Sequence, residues 1–224
     1  MKTLRNSMIC LGILLFLAPR FFAQDVLKYR SFALGTSLTS VLKHTDQKAS
    51  DVRLIHSQPV LIQELTWWPA NGRRSNAQAD SVEQIVFLFY AGELYKITVN
   101  YDRDAVKGLT THDMVQSLSA KYGNPIQLTP EIELQSKDQS AMDQKLLATW
   151  EDSLSTINLM QSGYSEGFTL VAFSRARNAQ AETASAEAVT LEAQQRPQKE
   201  ADQQKKQGDE LELERQKNIK SFQP

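Results

Sequence analysis

The chain has 224 residues, of which 41% are apolar and 23% charged, with 25 basic and 26 acidic side chains and a formal net charge of −1. That length accommodates one or two domains. A near-neutral chain lacks the basic footprint of a nucleic-acid binder and has no electrostatic drive toward anionic lipid. Residues 24–174 hold 13 basic and 17 acidic side chains, whereas residues 175–224 hold 9 of each and few large apolar ones.

Residues 1–23 read as an export signal. Lys2 and Arg5 make a basic start, residues 8–18 are an almost unbroken apolar run, and Pro19 ends it. A signal core has an apolar stretch of about 7–15 residues, whereas a membrane-spanning helix needs about 20. Ala23 supplies a small residue for cleavage, but Arg20 and Phe21 suit the site poorly, so an uncleaved N-terminal anchor is the alternative. After cleavage no membrane span is expected. Cys10, the single cysteine, follows Ile9 inside the apolar run, the wrong context for lipidation. The chain after residue 23 then has no cysteine and forms no disulfide. Small secreted eukaryotic domains usually carry disulfides, so the expected location is a bacterial periplasm or exterior.

Leu34, Leu38, Val41 and Leu42 share one face at helical spacing, with Thr36 or Ser37 to cap the start. Residues 52–55 and 60–67 have strand character, separated by Pro59. Trp68-Pro69-Ala70-Asn71-Gly72-Arg73-Arg74 is loop chemistry. Residues 85–90 are apolar on both faces, which predicts a central strand. Ala91-Gly92-Glu93 turns the chain into residues 94–101, where Tyr95, Ile97, Val99 and Tyr101 alternate with Lys96, Thr98 and Asn100. This is a hairpin with one solvated face on its second strand.

A second helix is expected around Met114, Val115, Leu118 and Tyr122, capped by Thr110 or Thr111 and stopped by Gly123-Asn124-Pro125. Residues 146–150, 156–160 and 168–174 read as three more strands, with Gly163 and Gly167 marking the last turn. The fold class is α+β. Two tandem helix-then-antiparallel-sheet units, about residues 31–105 and 106–174, form one domain over residues 24–174, and a polar helical tail follows over 175–224. In the tail, Ala181, Ala184, Ala188 and Leu191 keep a heptad spacing that fails at Gln195, and Pro197 is expected to interrupt the helix. Gln198 onward is too polar to fold alone, so fraying or disorder is expected there.

No residue set identifies a reaction. His44, His56 and His112 are not spaced to share a metal, and no catalytic, cofactor or metal residue is assigned. Asn100, Asp102 and Asp104 alternate like the start of a calcium loop, but Ala105 and Thr111 occupy the positions that need Gly and Glu. Ser162-Gly163-Tyr164-Ser165 is turn chemistry rather than a nucleophile elbow. Glu151 and Asp152 are adjacent on a strand end and so point to opposite faces. Trp67, Trp68, Arg73 and Arg74 form the one candidate interaction surface, because tryptophan and arginine anchor interfaces. The plainer reading places one tryptophan in the core and the other over it.

Leu34-Gly35-Thr36-Ser37 opening a helix that ends near Leu42, followed by antiparallel strands, resembles the helix-then-sheet modules of the SmpA/OmlA-type outer-membrane assembly lipoproteins. The tandem form is similar to the β-lactamase inhibitor proteins. The resemblance covers residues 31–174, without the lipidation cysteine of the first group or the disulfides of the second. It implies a non-catalytic binding scaffold in the cell envelope with a protein partner, and transfers no functional residue. Two alternatives stay open: an exported hydrolase with an unrecognised site, and a structural protein that oligomerises through residues 176–196.

Overall fold

The computed structural model describes residues 28–69, 80–126, 144–162, 167–221 and 223. The chain opens on a tight hairpin, β1 (Lys28–Tyr29) and β2 (Phe32–Ala33), and enters helix α1 (Leu38–Thr45). Strands β3 (Val52–His56), β4 (Ile62–Trp67), β5 (Val82–Tyr90) and β6 (Glu93–Tyr101) follow. Helix α2 (Thr111–Tyr122) then leads to β7 (Gln144–Glu151), β8 (Ser155–Ser162) and β9 (Phe168–Ser174), and the long helix α3 (Arg175–Ser221) ends the chain. The tandem α-then-β order expected from the sequence is present. The strands of both units join, because β6 pairs antiparallel with β9, giving one seven-stranded sheet in the order β3-β4-β5-β6-β9-β8-β7.

The register explains the core. Val52, Leu65, Phe87, Ile97, Ala172, Ile157 and Trp150 are successive cross-strand partners, so one apolar row crosses all seven strands. Every member of that row packs in the main core with Val41 of α1 and Met114 of α2. Both helices therefore cover the same face of the sheet. Ser37 caps α1 by accepting from the Ser40 amide, and Thr110 caps α2 in a reciprocal box with Asp113. Leu34 belongs to the core but precedes the helix rather than starting it.

Residues 96–101 alternate as expected, with Ile97 and Val99 in the main core and Tyr101 packed against it, but Leu94 and Tyr95 break the pattern. Leu88 pairs with Lys96 and Phe89 pairs with Leu94, so Tyr95 is an extra residue in the ladder. A bulge of this kind leaves two consecutive side chains on one side. Leu94 joins Ile97 and Val99 in the main core, whereas Tyr95 packs with Ile62 on the opposite face. The turn before the bulge is tight, with Ala91 at φ 50° and Gly92 at φ 81°. Positive φ at both central residues matches the right-handed twist of a two-residue hairpin.

Helix α3 forms the third layer. Ala181 and Ala184 are buried against Ile62 and Tyr95, with Leu88, Tyr90, Ile55 and Val60 alongside. Arg175 pairs with Glu151 beside the β7–β8 turn, Arg177 pairs with Glu93 at 2.9 Å, and Glu192 reaches His56 on β3 at 3.4 Å. The helix thus leaves the end of β9 and steps across β6 toward β3. From Arg175 to Glu192 it rises about 25 Å at 1.5 Å per residue, enough to cover the four strand spacings from β9 to β3, about 19 Å. The alanine seam that suggested assembly is therefore already occupied within the single chain. The helix also continues through Pro197 to Ser221, without the expected break. One proline removes one backbone bond and costs about 3 kcal/mol, and the Gln, Lys and Glu residues on both sides are good helix formers. Beyond Leu191 the helix is exposed as far as Ser221. Among the described residues no helix is long and apolar enough to cross a membrane. The export-signal residues lie outside the described residues.

Candidate functional site

Of the four residues singled out from the sequence, the structure places two. Trp67 is the last residue of β4, pairs with Ile85 and packs edge-on against Phe32 at 5.8 Å. It is part of the core margin. Trp68 follows one position on and is 46% exposed. Strand alternation that turns Trp67 toward α1 carries Trp68 toward the α3 side. One tryptophan is thus structural and the other is at the surface. Arg73 and Arg74 lie outside the described residues.

The α3 side of the sheet divides into two halves. α3 covers the half that holds the β5–β6 turn. On the other half, Thr66, Val86, Thr98, Val171 and Asn158, all half-buried, and Thr149, which is buried, are cross-strand partners in one row across six strands. A parallel row holds Gln84, Asn100, Thr169 and Met160. These side chains bond to one another. Asn100 Nδ2 donates to Gln84 Oε1 at 2.9 Å, Thr169 Oγ1 donates to Asn100 Oδ1 at 3.1 Å, and Thr149 Oγ1 donates to Asn158 Oδ1 at 3.0 Å. Trp68 stands where β4 leaves this surface.

The arrangement fixes short, β-branched and amide side chains on a rigid backbone, with hydrogen bonds that hold their rotamers. Such groups have little entropy left to lose when a partner covers them. They offer hydroxyl and amide groups at regular spacing, and an exposed aromatic at one border. Among the described residues no group of three or more His, Cys, Asp or Glu side chains is placed to hold a metal ion.

Sequence reasoning found Trp68 but missed this face. The row on the α3 side is visible in the register alone, because its members come from six strands separated by turns and by α2. The alternation Val86, Leu88, Tyr90 on β5 gave half of a signal, since a strand apolar on both faces needs a second layer. That layer proved to be α3, over part of the sheet.

Four of the histidine and carboxylate candidates resolve into structural contacts. His44 stacks edge-on against Phe32 at 5.9 Å at the end of α1. His56 faces Glu192 of α3. Asp102 accepts from the Ala105 amide at 2.9 Å and closes the turn after β6. Asp152 accepts from the Leu154 and Ser155 amides in the β7–β8 turn.

No curated protein and no solved structure matches the chain. A protein-family model described as the TP0088 domain matches residues 27–162, from before the β1–β2 hairpin to the end of β8. That match spans more than half of the chain and contains both helix-then-sheet units up to β8, so the chain belongs to the TP0088 domain family.

Proposed function

We propose that this protein is an exported, non-catalytic protein-interaction module of the bacterial cell envelope, and that its partner docks on the open half of the sheet bordered by Trp68. The observation that carries the reading is the hydrogen-bonded polar row of Gln84, Asn100 and Thr169 beside an exposed tryptophan. Interfaces of this kind combine an aromatic anchor with a polar surround. Export is supported by the basic start at Lys2 and Arg5 and the apolar residues 8–18 that follow. The absence of cysteine after residue 23 suits an envelope protein stabilised by its core rather than by disulfides.

The test is capture of a partner from crosslinked native cells with the wild type, Trp68→Ala and Thr98→Arg. A bulky charge at Thr98 disrupts contact across the middle of the face while leaving the main core untouched. Loss of one specific partner with both variants, each folded as the wild type, supports the docking face. Capture unchanged by either substitution removes it.

A further inference from the structure

Helix α3 does not stop where its cover of the sheet stops. Its contacts run in one direction, from Arg177 with Glu93 on β6 to Glu192 with His56 on β3. β3 is the last strand on that side of the sheet, and among the described residues its outer edge pairs with no strand. Residues 192–221 continue the helix past that edge and are exposed. They span about 45 Å at 1.5 Å per residue, or about nine strand spacings.

The edge itself is open to a second strand. Leu54 in the middle of β3 is 56% exposed, on the same side of the sheet as Val52. Natural edges are guarded by free charges, but Arg53 is turned onto its own sheet by an ion pair with Glu64 at 3.0 Å. The helix is also shaped for a surface beyond the edge. Pro197 lies about 180° around the helix from Ala188, at 100° per residue, on the side away from the sheet. A proline ring crowds the preceding turn on its own side, so a bend there turns the helix toward the sheet side. The residues that continue the stripe of Ala181, Ala184 and Ala188 are Gln195, Lys199, Asp202, Lys206 and Leu213.

We propose that the occupant of the open half is the exposed part of α3 from a second copy of this chain, brought there by antiparallel pairing of the two β3 edges about Leu54. The proposal deepens, and rests on, the reading of the open half as a docking face. A twofold axis normal to the sheet at Leu54 sets the two sheets side by side. It places the half that holds the β5–β6 turn of one copy next to the open half of the other. A helix that continues across β3 then passes over the open half of the second copy, whose own α3 does the same in return. Two strand spacings take about six or seven residues of helix, so the segment around Lys199 meets β4 of the second copy, where Thr66 and Trp68 stand. The lysine and glutamine stems lie along threonine and valine methyl groups while their heads reach hydroxyls, amides and solvent. β3 is five residues long with an irregularity between Leu54 and His56, so the strand contact is small and the two helix contacts extend it. Self-association stabilises a fold only near and above its dissociation constant, so melting of dilute protein reports the single chain.

The test is sedimentation equilibrium of the wild type, Leu54→Lys, Thr98→Arg and a chain ending at Gln194, over a concentration series reaching the sub-millimolar range. The expected result is a monomer–dimer equilibrium in the wild type, weakened at least about tenfold in each variant. Circular dichroism and melting of the dilute variants, close to the wild type, show that the fold is intact. A mixture of isotope-labelled and unlabelled chains with a benzophenone amino acid in place of Lys199 is then irradiated. Adducts between labelled and unlabelled chains that map to Thr66–Trp68 support the proposal, and adducts only outside the open half overturn it. A monomer at every concentration, or a dimer insensitive to Leu54→Lys or to loss of residues 195–224, also overturns it. A monomer that still captures a different protein, with capture lost in Thr98→Arg, removes the second copy and leaves the docking face standing. A monomer that captures nothing removes both.

Discussion

Arg30 holds Asp80 with two parallel hydrogen bonds, and this one pair ties the β1–β2 hairpin to the start of β5. The same carboxylate accepts from the Val82 amide at 3.0 Å and so fixes where β5 begins. The Arg30 hydrogen bond is the main cause that holds the Asp80 carboxyl below its ordinary range. The pair is partly exposed, so solvent screens it, but its bidentate geometry places it at the upper end for such contacts. Asp80→Asn is expected to cost about 1 kcal/mol at neutral pH. A depressed folded pKa gives stability that is present above the unfolded value near pH 4 and is lost as pH falls through the folded value. Urea midpoints of the wild type and Asp80→Asn should therefore differ at neutral pH and converge as the pH falls below the ordinary carboxylate range.

The tyrosine cluster has the opposite sign. Burial pushes the Tyr122 hydroxyl up to about 12 and raises Tyr101 further, with the Tyr29 hydroxyl contributing in the same direction. A raised folded pKa gives stability that is complete below the unfolded value near 10 and is lost as pH climbs through the folded value. The wild type is expected to lose stability steeply above pH 10, together with a late rise in tyrosinate absorbance. Tyr101→Phe should flatten that loss, since it removes the group that resists ionisation most. Equal alkaline slopes for both proteins would contradict the buried cluster.

α3 has two parts with different consequences for stability. The part up to Leu191 covers Ile62, Tyr95 and Leu88, and the part beyond is exposed. Removing residues 195–224 should change the melting temperature by less than about 2 °C, because exposed helix contributes little. Removing residues 175–224 uncovers several large apolar side chains, each worth roughly 1.5–3 kcal/mol when fully buried. A loss of about 3 kcal/mol is expected, which lowers Tm by about 6–12 °C in a domain of this size. Equal melting temperatures for the two truncations would show that α3 is not a layer of the fold.

Much of the fold was legible where side-chain period and burial agree. Residues 85–90 are apolar on both faces because β5 lies between the α1–α2 layer and α3. The caps at Ser37 and Thr110 and the stop at Gly123 were visible as local chemistry. The bulge at Tyr95 was not, because its signal lies in the pairing partner and not in the strand itself. The β1–β2 hairpin was missed because two strands of two residues show no periodicity. In α3 the alanine spacing was seen, but small residues fit another helix and a sheet equally well. The contacts of Tyr29 with Tyr101 and Lys121 gather three distant segments, and no spacing in the chain announces that.

The two adjacent tryptophans should separate cleanly in stability measurements. Trp67 packs on Phe32 and the core margin. Truncating a well-buried tryptophan costs about 3–5 kcal/mol, and Trp67, which is half-buried, should lose about 2–4 kcal/mol as Trp67→Ala. Trp68→Ala should stay within about 0.5 kcal/mol of the wild type, as surface changes do. Chemical denaturation of both variants checks this, and a large loss in Trp68→Ala would return that residue to the core.

The most direct test of the docking face is photocrosslinking in living cells that produce the chain with a benzophenone amino acid at position 68. A matched control carries it at Leu154, which is 46% exposed in the β7–β8 turn. The open-face account requires a discrete adduct at position 68 that is absent at Leu154 and is abolished by adding Thr98→Arg. No adduct at position 68, or the same adduct from both positions, contradicts it.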